Sequence, residues 1–299
     1  MKELGIDHNF LGIEDQHSRL DSSAIAILQA PYEATVSYGK GTAQGPSALI
    51  EASHYVEFWD EMYQRELCFE KGIATLEALD FGAATGRAML DQLQEAVKTL
   101  LDMDKFVVTL GGEHSISTAP IAAHLERYPG MSVLQIDAHS DLRESYEGTP
   151  YSHASIMARV LEFMDPARIV QVGIRAQCRE EFETIRERGI NTFFAWQIRQ
   201  GVFGQSWKER VLDALGDEVY ITFDVDGLDP SVLGATGTPE PGGLLWDETM
   251  QLLAMIGKRK RIVGFDVVEL APDEVNPYSA FVAAKLTYKL LNAAFSGTR

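Results

Sequence analysis

The sequence is poor in cysteine, in basic residues and in long apolar runs, and each shortage excludes a class of protein. Cys68 and Cys178 are the only cysteines in 299 residues, and their spacing matches neither a metal site nor a disulfide framework. No run of about 18 apolar residues is present, so we expect no membrane-spanning segment. The N-terminus lacks the basic and apolar pattern of a signal peptide, which favours a cytoplasmic location.

The charge of the chain is strongly one-sided. It has 26 basic and 44 acidic residues, so its formal net charge is −18. Nucleic acids and anionic membrane surfaces need a cationic footprint, which this chain lacks. We therefore expect no nucleic-acid and no membrane partner, whereas a small cationic molecule would be electrostatically acceptable.

Short apolar runs alternate with segments of helical periodicity along the whole chain. The apolar runs lie at residues 24–30, 73–79, 105–110, 132–136, 169–174, 190–195, 219–225 and 262–268. The helical segments lie at residues 88–101, 120–127, 180–188, 207–215, 248–256 and 280–294. Several runs are apolar on both faces, as in a parallel sheet covered by helices. The pattern predicts an α/β fold, a three-layer α/β/α sandwich with a mainly parallel sheet of about eight strands, and one domain over residues 1–299.

Three of the predicted strands end in groups of polar side chains that suit a metal. Positions i, i+2 and i+4 of an extended segment share one face, which is the spacing found after the strand at 132–136 and, for two residues, at the end of the strand at 219–225. A Gly-Gly turn follows the strand at 105–110, and a histidine lies shortly after it. The side chains concerned are His114, Asp137, His139, Asp141, Asp224 and Asp226.

Four crowded aspartates cannot all stay ionised without compensation, because like charges at close range raise carboxyl pKa values. Two divalent cations would cancel that charge. Oxygen and imidazole donors without a thiolate favour Mn(II), although Ni, Co, Fe and Zn remain open. Two such ions roughly 3.5–4 Å apart can share a water and lower its pKa toward neutrality. The sequence therefore predicts a dinuclear metal site.

Each motif taken alone also has a simpler interpretation. An Asp-x-Asp at a strand end usually forms a turn or caps a helix, and a histidine after Gly-Gly is usually a polar loop residue. The occurrence of all three motifs at strand ends of one chain favours the metal site. The four histidines outside these motifs and outside YSHAS are interpreted as surface or packing residues: His8, His17, His54 and His124.

Two glycine-rich loops need separate interpretation. Residues 38–46, YGKGTAQGP, do not have the spacing of a nucleotide-binding loop, but Pro46 suits the first turn of a helix and the loop before it could border an active site. Residues 227–244 follow a strand and precede a helix, so they form a long loop where ligands gather in parallel α/β sheets.

The stretches GGEHS, DAHSD and FDVDGLDPS, in this order, resemble the three signature motifs of the ureohydrolase family of arginases and agmatinases. The resemblance implies an arginase-like α/β/α sandwich with eight parallel strands and two Mn(II) ions that hydrolyse a guanidinium group to urea and an amine. It implies the same metal ligands that the spacing indicates. It also implies a homo-oligomer, since trimers and hexamers are common in the family.

The resemblance adds two residues, and the reaction that we expect gives a role to a third. His153 in YSHAS matches the position of the proton-shuttling histidine, and Glu269 in GFDVVELAP matches the carboxylate that holds the guanidinium. Asp141 would relay a proton to the leaving amine. A carboxylate suits a planar guanidinium, and an imidazole exchanges protons near neutral pH. Taken alone, His153 could instead begin a helix and Glu269 could cap a loop.

The substrate is predicted from the loop at residues 142–152, LRESYEGTPYS. Arginases hold the α-carboxylate and α-amino group of arginine with Asn, Ser and Thr in this loop, and that pattern is missing here. The loop and the stretch GTPEPGGL resemble the agmatinase branch, and the dication agmatine suits an acidic chain with Glu144 and Glu147 nearby. We therefore expect agmatine to be cleaved to putrescine and urea. The alternatives are N1-aminopropylagmatine, guanidinobutyrate, arginine, guanidine, or a non-catalytic metal-binding relative.

Overall fold

The structure, a computed structural model, describes residues 1–297 apart from the side chain of Gln205. All eight predicted strands are present: β1 (Ile25–Ala30), β2 (Ile73–Thr75), β3 (Phe106–Gly111), β4 (Ser132–Ile136), β5 (Ile169–Ile174), β6 (Asn191–Phe194), β7 (Glu218–Asp224) and β8 (Arg261–Val268). They form one sheet in the order β2-β1-β3-β8-β7-β4-β5-β6, and every pairing is parallel. The strand β2 ends earlier than predicted, and Leu76 pairs instead with Glu3 in an antiparallel bridge.

The described residues also form eleven α-helices: α1 (Asp15–Ser18), α2 (Gly45–Ser53), α3 (Leu67–Lys71), α4 (Arg87–Asp102), α5 (Thr118–Arg127), α6 (Ile156–Val160), α7 (Arg179–Arg188), α8 (Ala195–Arg199), α9 (Trp207–Ala214), α10 (Trp246–Arg259) and α11 (Tyr278–Ala294). The six predicted helices are confirmed, and Pro46 lies in the first turn of α2 as expected. The other helices span nine residues or fewer, too short to show a clear period in the sequence. Within residues 1–297, no helix combines the length and the apolarity that crossing a membrane requires.

Apolar side chains cover both faces of the sheet. In β1, Ile25 and Ile27 belong to one core cluster, while Ala26 and Leu28 belong to another. The first cluster contains side chains of α2, α9, α10 and α11, and the second contains side chains of α4 and α5. A third cluster joins Val133 of β4 to residues of α6 and α7. Helices therefore pack on each face of the sheet, and the predicted three-layer sandwich is confirmed.

The sheet order determines where the polar strand ends meet. The strands β3, β8, β7 and β4 are consecutive neighbours at the centre of the sheet. Because all of them are parallel, their carboxyl ends lie along one edge, where ligands gather in folds of this kind. The last residues of these strands and the segments that follow them contain all of the residues predicted from the three motifs.

Candidate metal centre

The six predicted metal ligands lie together at the carboxyl ends of β3, β4 and β7. His114 begins the 3-10 turn His114–Ser117, directly after the glycine turn that follows β3. A Cβ atom on Gly112 would lie 2.1 Å from the carbonyl oxygen of Tyr32, so only glycine permits this close approach of the two segments. The turn therefore brings His114 to the centre of the sheet edge.

The first group of ligand atoms surrounds His114. Its Nδ1 lies 3.1 Å from a carboxylate oxygen of Asp137, 3.1 Å from one of Asp141 and 3.3 Å from one of Asp224. All four side chains are buried. One nitrogen and three oxygens therefore face a common point, where a single cation could bind.

The second group surrounds His139. Its Nδ1 lies 3.0 Å from a carboxylate oxygen of Asp226 and 3.6 Å from one of Asp137. Asp137 belongs to both groups. The ligand atoms of His114, Asp137 and Asp224 lie within 4.8 Å of one another, and so do those of Asp137, His139 and Asp226. The arrangement offers two neighbouring cation sites that share one carboxylate.

The hydrogen bonds of His114 fit a metal at the first site. Its Nε2 lies 2.9 Å from the hydroxyl of Thr222, and that hydroxyl donates its only hydrogen to Asp266 at 2.8 Å. Nε2 therefore carries the hydrogen that joins the ring to Thr222, and in the neutral ring Nδ1 then has the lone pair that a metal requires. That buried Nδ1 has no hydrogen-bond partner among the residues described. A lone pair aimed at three carboxylates is electrostatically unfavourable unless a cation lies between them.

The carboxyl groups of this centre also compete for protons. Burial, and then the charge of Asp137, raises the pKa of Asp141 to about 7. Burial, and then the charge of Asp226, raises the pKa of Asp224 well above its usual range. Divalent cations would remove this competition by stabilising the ionised forms.

The backbone around Asp137 is less regular than the spacing predicted. The strand β4 ends at Ile136, and Asp137 accepts a hydrogen bond from the backbone N–H of His139 at 2.6 Å. Asp141 has a left-handed φ of 54°, and its carbonyl accepts a hydrogen bond from the N–H of Met157 at 2.9 Å. We expected Asp137, His139 and Asp141 to share one face because the backbone between them would be extended. The backbone is not extended as far as Asp141. A turn held by the start of α6 places that carboxylate instead.

A chain of buried side chains supports Asp137 and was missed from the sequence. Gln135 donates from Nε2 to Asp137 at 2.7 Å and accepts at Oε1 from Gln171 Nε2 at 2.7 Å. Gln171 in turn accepts a hydrogen bond from the Thr192 hydroxyl at 2.8 Å. These residues occupy paired positions of β4, β5 and β6. Their presence as polar residues within apolar strands was the only sequence feature that could have predicted this chain of hydrogen bonds.

Glu269, predicted to bind a guanidinium, lies directly beside the cluster. It follows β8 with a left-handed φ of 65°, and one carboxylate oxygen accepts a hydrogen bond from the N–H of His114 at 2.6 Å. Its own N–H donates to the carbonyl of Gly112 at 2.8 Å. Burial raises the pKa of Glu269 to about 8.

His153, the predicted proton shuttle, begins the 3-10 turn His153–Ser155 and is partly exposed. The ring of Tyr146 contacts it edge-on, with 5.7 Å between ring centroids. Burial lowers the pKa of His153. The imidazole is therefore accessible to solvent.

A cavity of about 280 Å³ connects these groups to the surface. Its lining includes His139, Asp141 and His153, together with Ser37 and Glu240 from two loops. The two glycine-rich loops meet here, since the N–H of Gly39 donates to the carbonyl of Gly237 at 3.0 Å. The 227–244 loop therefore lines the cavity as expected, and the 38–46 loop contacts that loop.

The interpretation of Glu144 and Glu147 as carboxylates near the substrate is wrong. Both side chains are exposed, and Glu144 pairs with Arg159 at 3.1 Å. The cavity is lined instead by Glu181 and Glu240, of which the second belongs to the 227–244 loop and not to the segment after the DAHSD motif. Sequence proximity to Asp141 was a poor guide, because Tyr146 lines the cavity whereas the two neighbouring glutamates point to solvent.

The chain matches known proteins over most of its length. The model of the arginase family matches residues 23–292. An N(1)-aminopropylagmatine ureohydrolase from Synechocystis is 38% identical over 276 residues, covering 90% of this chain and 88% of that protein. An agmatinase from Bacillus cereus is 36% identical over 259 residues, covering 86% of each chain.

A solved structure has the same fold. The agmatine ureohydrolase of Thermoplasma volcanium superposes with a TM-score of 0.84 at 28% identity, covering 99% of this chain and 95% of that one. These matches show that the chain belongs to the arginase family and is a ureohydrolase.

Proposed function

We propose that this chain hydrolyses agmatine to putrescine and urea with two Mn(II) ions. The proposed metal ligands are His114, Asp137, His139, Asp141, Asp224 and Asp226. The observation that carries the proposal is their convergence into two groups that share Asp137, beside a cavity lined by further carboxylates. When bound, such a pair of ions activates water for attack at neutral pH and stabilises the charge that develops.

The choice of manganese rests on the donor atoms. The two groups contain carboxylate oxygens and imidazole nitrogens, and both cysteines of the chain lie elsewhere. Hard oxygen donors of this kind suit Mn(II) better than a metal that prefers thiolates. Nickel, cobalt, iron or zinc would occupy the same ligands with different efficiency.

Glu269 is the proposed binding group for the substrate guanidinium. One of its oxygens already accepts a hydrogen bond from the N–H of His114, which fixes the carboxylate relative to the cluster. The other oxygen accepts no hydrogen bond from residues 1–297. A guanidinium would provide charge-assisted hydrogen bonds to this carboxylate and hold the carbon to be attacked at a fixed place.

Asp141 and His153 are the proposed proton carriers. Both line the same cavity, so a proton can pass from the reacting centre toward solvent along one route. Asp141 would deliver a proton to the leaving amine, and His153 would exchange it with bulk water. The partial exposure of His153 supports this second step.

The charges of the cavity favour a substrate with a cationic tail. The carboxylate of Glu240 accepts no hydrogen bond from residues 1–297. The guanidinium of Arg143 lies over the ring of Tyr146, 5.1 Å from its centroid, and 3.8 Å from a carboxylate oxygen of Glu181. Arg143 is therefore paired with Glu181. Arg175 donates to the backbone carbonyl of Glu240 and not to its carboxylate, which can receive the terminal ammonium of agmatine.

The second candidate substrate is N1-aminopropylagmatine, because a relative of that name is 38% identical. Its additional amine would extend beyond Glu240. Guanidinobutyrate and arginine each carry a carboxylate that Glu240 would repel, and guanidine lacks a tail. A non-catalytic relative would have no need to retain all the proposed ligands together with His153 and Glu269.

The experiment is a urea-release assay on the manganese-loaded protein with all five guanidino compounds. We expect the highest kcat/KM for agmatine, and a higher value for N1-aminopropylagmatine would assign the chain to that substrate. Asp224→Asn is the negative control. It removes the charge of a proposed ligand with little change of volume and should abolish urea release. No urea from any compound would contradict the proposed activity.

We also propose a cytoplasmic homo-oligomer, a trimer or hexamer, in which residues 1–299 form one domain. The continuous sheet through the chain supports a single domain. Sedimentation equilibrium and a thermal unfolding scan test these points. A monomer would contradict the oligomer, and two separate unfolding transitions of the fully metal-loaded protein would contradict the single domain.

A further inference from the structure

Thr35, in the segment that follows β1, contacts the proposed proton shuttle through its hydroxyl. The oxygen accepts a hydrogen bond from the backbone N–H of His153 at 3.0 Å and lies 3.3 Å from the ring Nδ1 of the same residue. The hydroxyl also lies 2.8 Å from the carboxylate of Glu113, to which it donates. One hydroxyl therefore joins a carboxylate to an imidazole.

Glu113 is fully buried and is held in place by several donors. One of its oxygens accepts hydrogen bonds from the N–H groups of Ala34 and Thr35, each at 2.6 Å. Its other oxygen accepts from the hydroxyls of Ser115 and Thr35. Four donors thus converge on this carboxylate, which makes it a fixed acceptor.

The count of hydrogens then determines the tautomer of His153. A hydroxyl has one hydrogen, and Thr35 gives it to Glu113. The lone pairs of Thr35 remain for His153, so the ring Nδ1 must carry the hydrogen in that contact. In the neutral imidazole, Nε2 is then the unprotonated nitrogen.

We propose that Thr35 and Glu113 are positioning residues that hold His153 as the Nδ1–H tautomer, so that Nε2 is the atom that takes up and releases protons. The inference rests on the proposed role of His153 in the reaction. It accounts for a buried carboxylate that touches none of the proposed metal ligands through its side chain. It also explains why the loop after β1 contributes to the site although it supplies no ligand.

A purely structural role for Thr35 gives different expectations. The hydroxyl also accepts the N–H of His153, so its loss could simply loosen the turn His153–Ser155. Such loosening would lower stability and affect KM and kcat together. If Thr35 instead controls the tautomer of His153, its loss should lower kcat alone. The tautomer should also change when the direction of donation between Thr35 and Glu113 is reversed.

The sharpest variant is Glu113→Gln, which keeps the size of the side chain. The N–H groups of Ala34 and Thr35 require the single amide oxygen, so the amide nitrogen would face the Thr35 hydroxyl and donate to it. The hydroxyl would then donate its own hydrogen to Nδ1. The variant should therefore switch His153 to the Nε2–H tautomer.

Long-range nitrogen–proton NMR of histidine-labelled protein, loaded with diamagnetic Zn(II) at pH 8, reads the tautomer directly. His153→Asn identifies the signals of His153. We expect Nδ1–H in the wild type and Nε2–H in Glu113→Gln, with unchanged metal content. Nε2–H in the wild type, or Nδ1–H in both proteins, would overturn the proposal.

Kinetics of the manganese enzyme provide the second arm. Thr35→Val should lower kcat about tenfold, a part of the 10² to 10⁴ that acid–base catalysis contributes, with KM changed less than about twofold. Thr35→Ser retains the hydroxyl and should restore kcat. Equal kcat for Thr35→Val and the wild type would refute the role. If the wild type releases no urea at all, the proposed function fails, while the NMR result still decides the tautomer.

Discussion

Replacing Thr222 with valine should weaken metal binding while leaving the fold in place. Thr222 is fully buried in β7 and joins His114 to Asp266 through its hydroxyl, at 2.9 and 2.8 Å. Valine has nearly the same shape but cannot accept from Nε2–H. The ring of His114 would then be free to carry its hydrogen on Nδ1, the atom that faces the three carboxylates.

The size of the effect follows from these contacts. Loss of a partner that orients a ligating imidazole typically lowers metal affinity 10- to 100-fold, which corresponds to about 1.4–2.7 kcal/mol. Asp266 retains the hydroxyl of Tyr220 as a donor at 2.8 Å, so only one of its oxygens loses a partner. The cost to the free energy of unfolding should therefore remain within about 1–3 kcal/mol.

Competition of the metal-free protein with a chelating indicator for Mn(II) measures this affinity. Thr222→Ser is the matched control, because it keeps the hydroxyl and should bind manganese within about threefold of the wild type. Circular dichroism shows whether the valine variant is folded. Wild-type affinity in folded Thr222→Val would refute the argument that the hydroxyl fixes the tautomer of His114.

Three further predictions concern the proton route, the substrate tail and stability. His153→Ala should lower kcat about 10²-fold or more with metal content unchanged; normal turnover would remove His153 from the mechanism. Glu240→Gln should raise KM for agmatine about tenfold and leave the KM of guanidine unchanged, and equal changes for both would contradict a role in binding the tail. Burial lowers the pKa of His124 from 6.5 to about 4. The unfolded chain therefore binds a proton at His124 more readily than the folded protein does. The free energy of unfolding should fall by up to about 3 kcal/mol as the pH drops from 6.5 to about 4. The free energy of unfolding, measured by urea denaturation, should depend less on pH in His124→Leu than in the wild type. The same dependence in both proteins would contradict the lowered pKa of His124.

The sequence was most informative where chemistry and periodicity coincide. Apolar runs of strand length predicted all eight strands, because a parallel sheet buried on both faces needs such runs. The period-2 spacing of Asp137 and His139 predicted a shared site. Since parallel strands end at one edge of the sheet, the strand ends also predicted that His114 and Asp224 would join them.

What the sequence could not predict depends on contacts between distant segments. Thr35 and Glu113 are 78 residues apart, and nothing in the local sequence of Thr35 indicates that its hydroxyl meets a buried carboxylate. Asp141 reaches the cluster through a left-handed turn, which spacing alone does not reveal. Glu240 replaced Glu144 and Glu147 as the candidate for the substrate tail, because the path of a loop is determined by tertiary packing.

The central claim is that six side chains hold two manganese ions that are needed for hydrolysis. The most direct test counts manganese per chain by elemental analysis in a preparation dialysed against Mn(II) and assayed for urea release. We expect two ions per chain in the active wild type, and loss of both manganese and activity in Asp137→Asn, since Asp137 belongs to both groups. Urea release by protein that contains no bound metal would contradict the account.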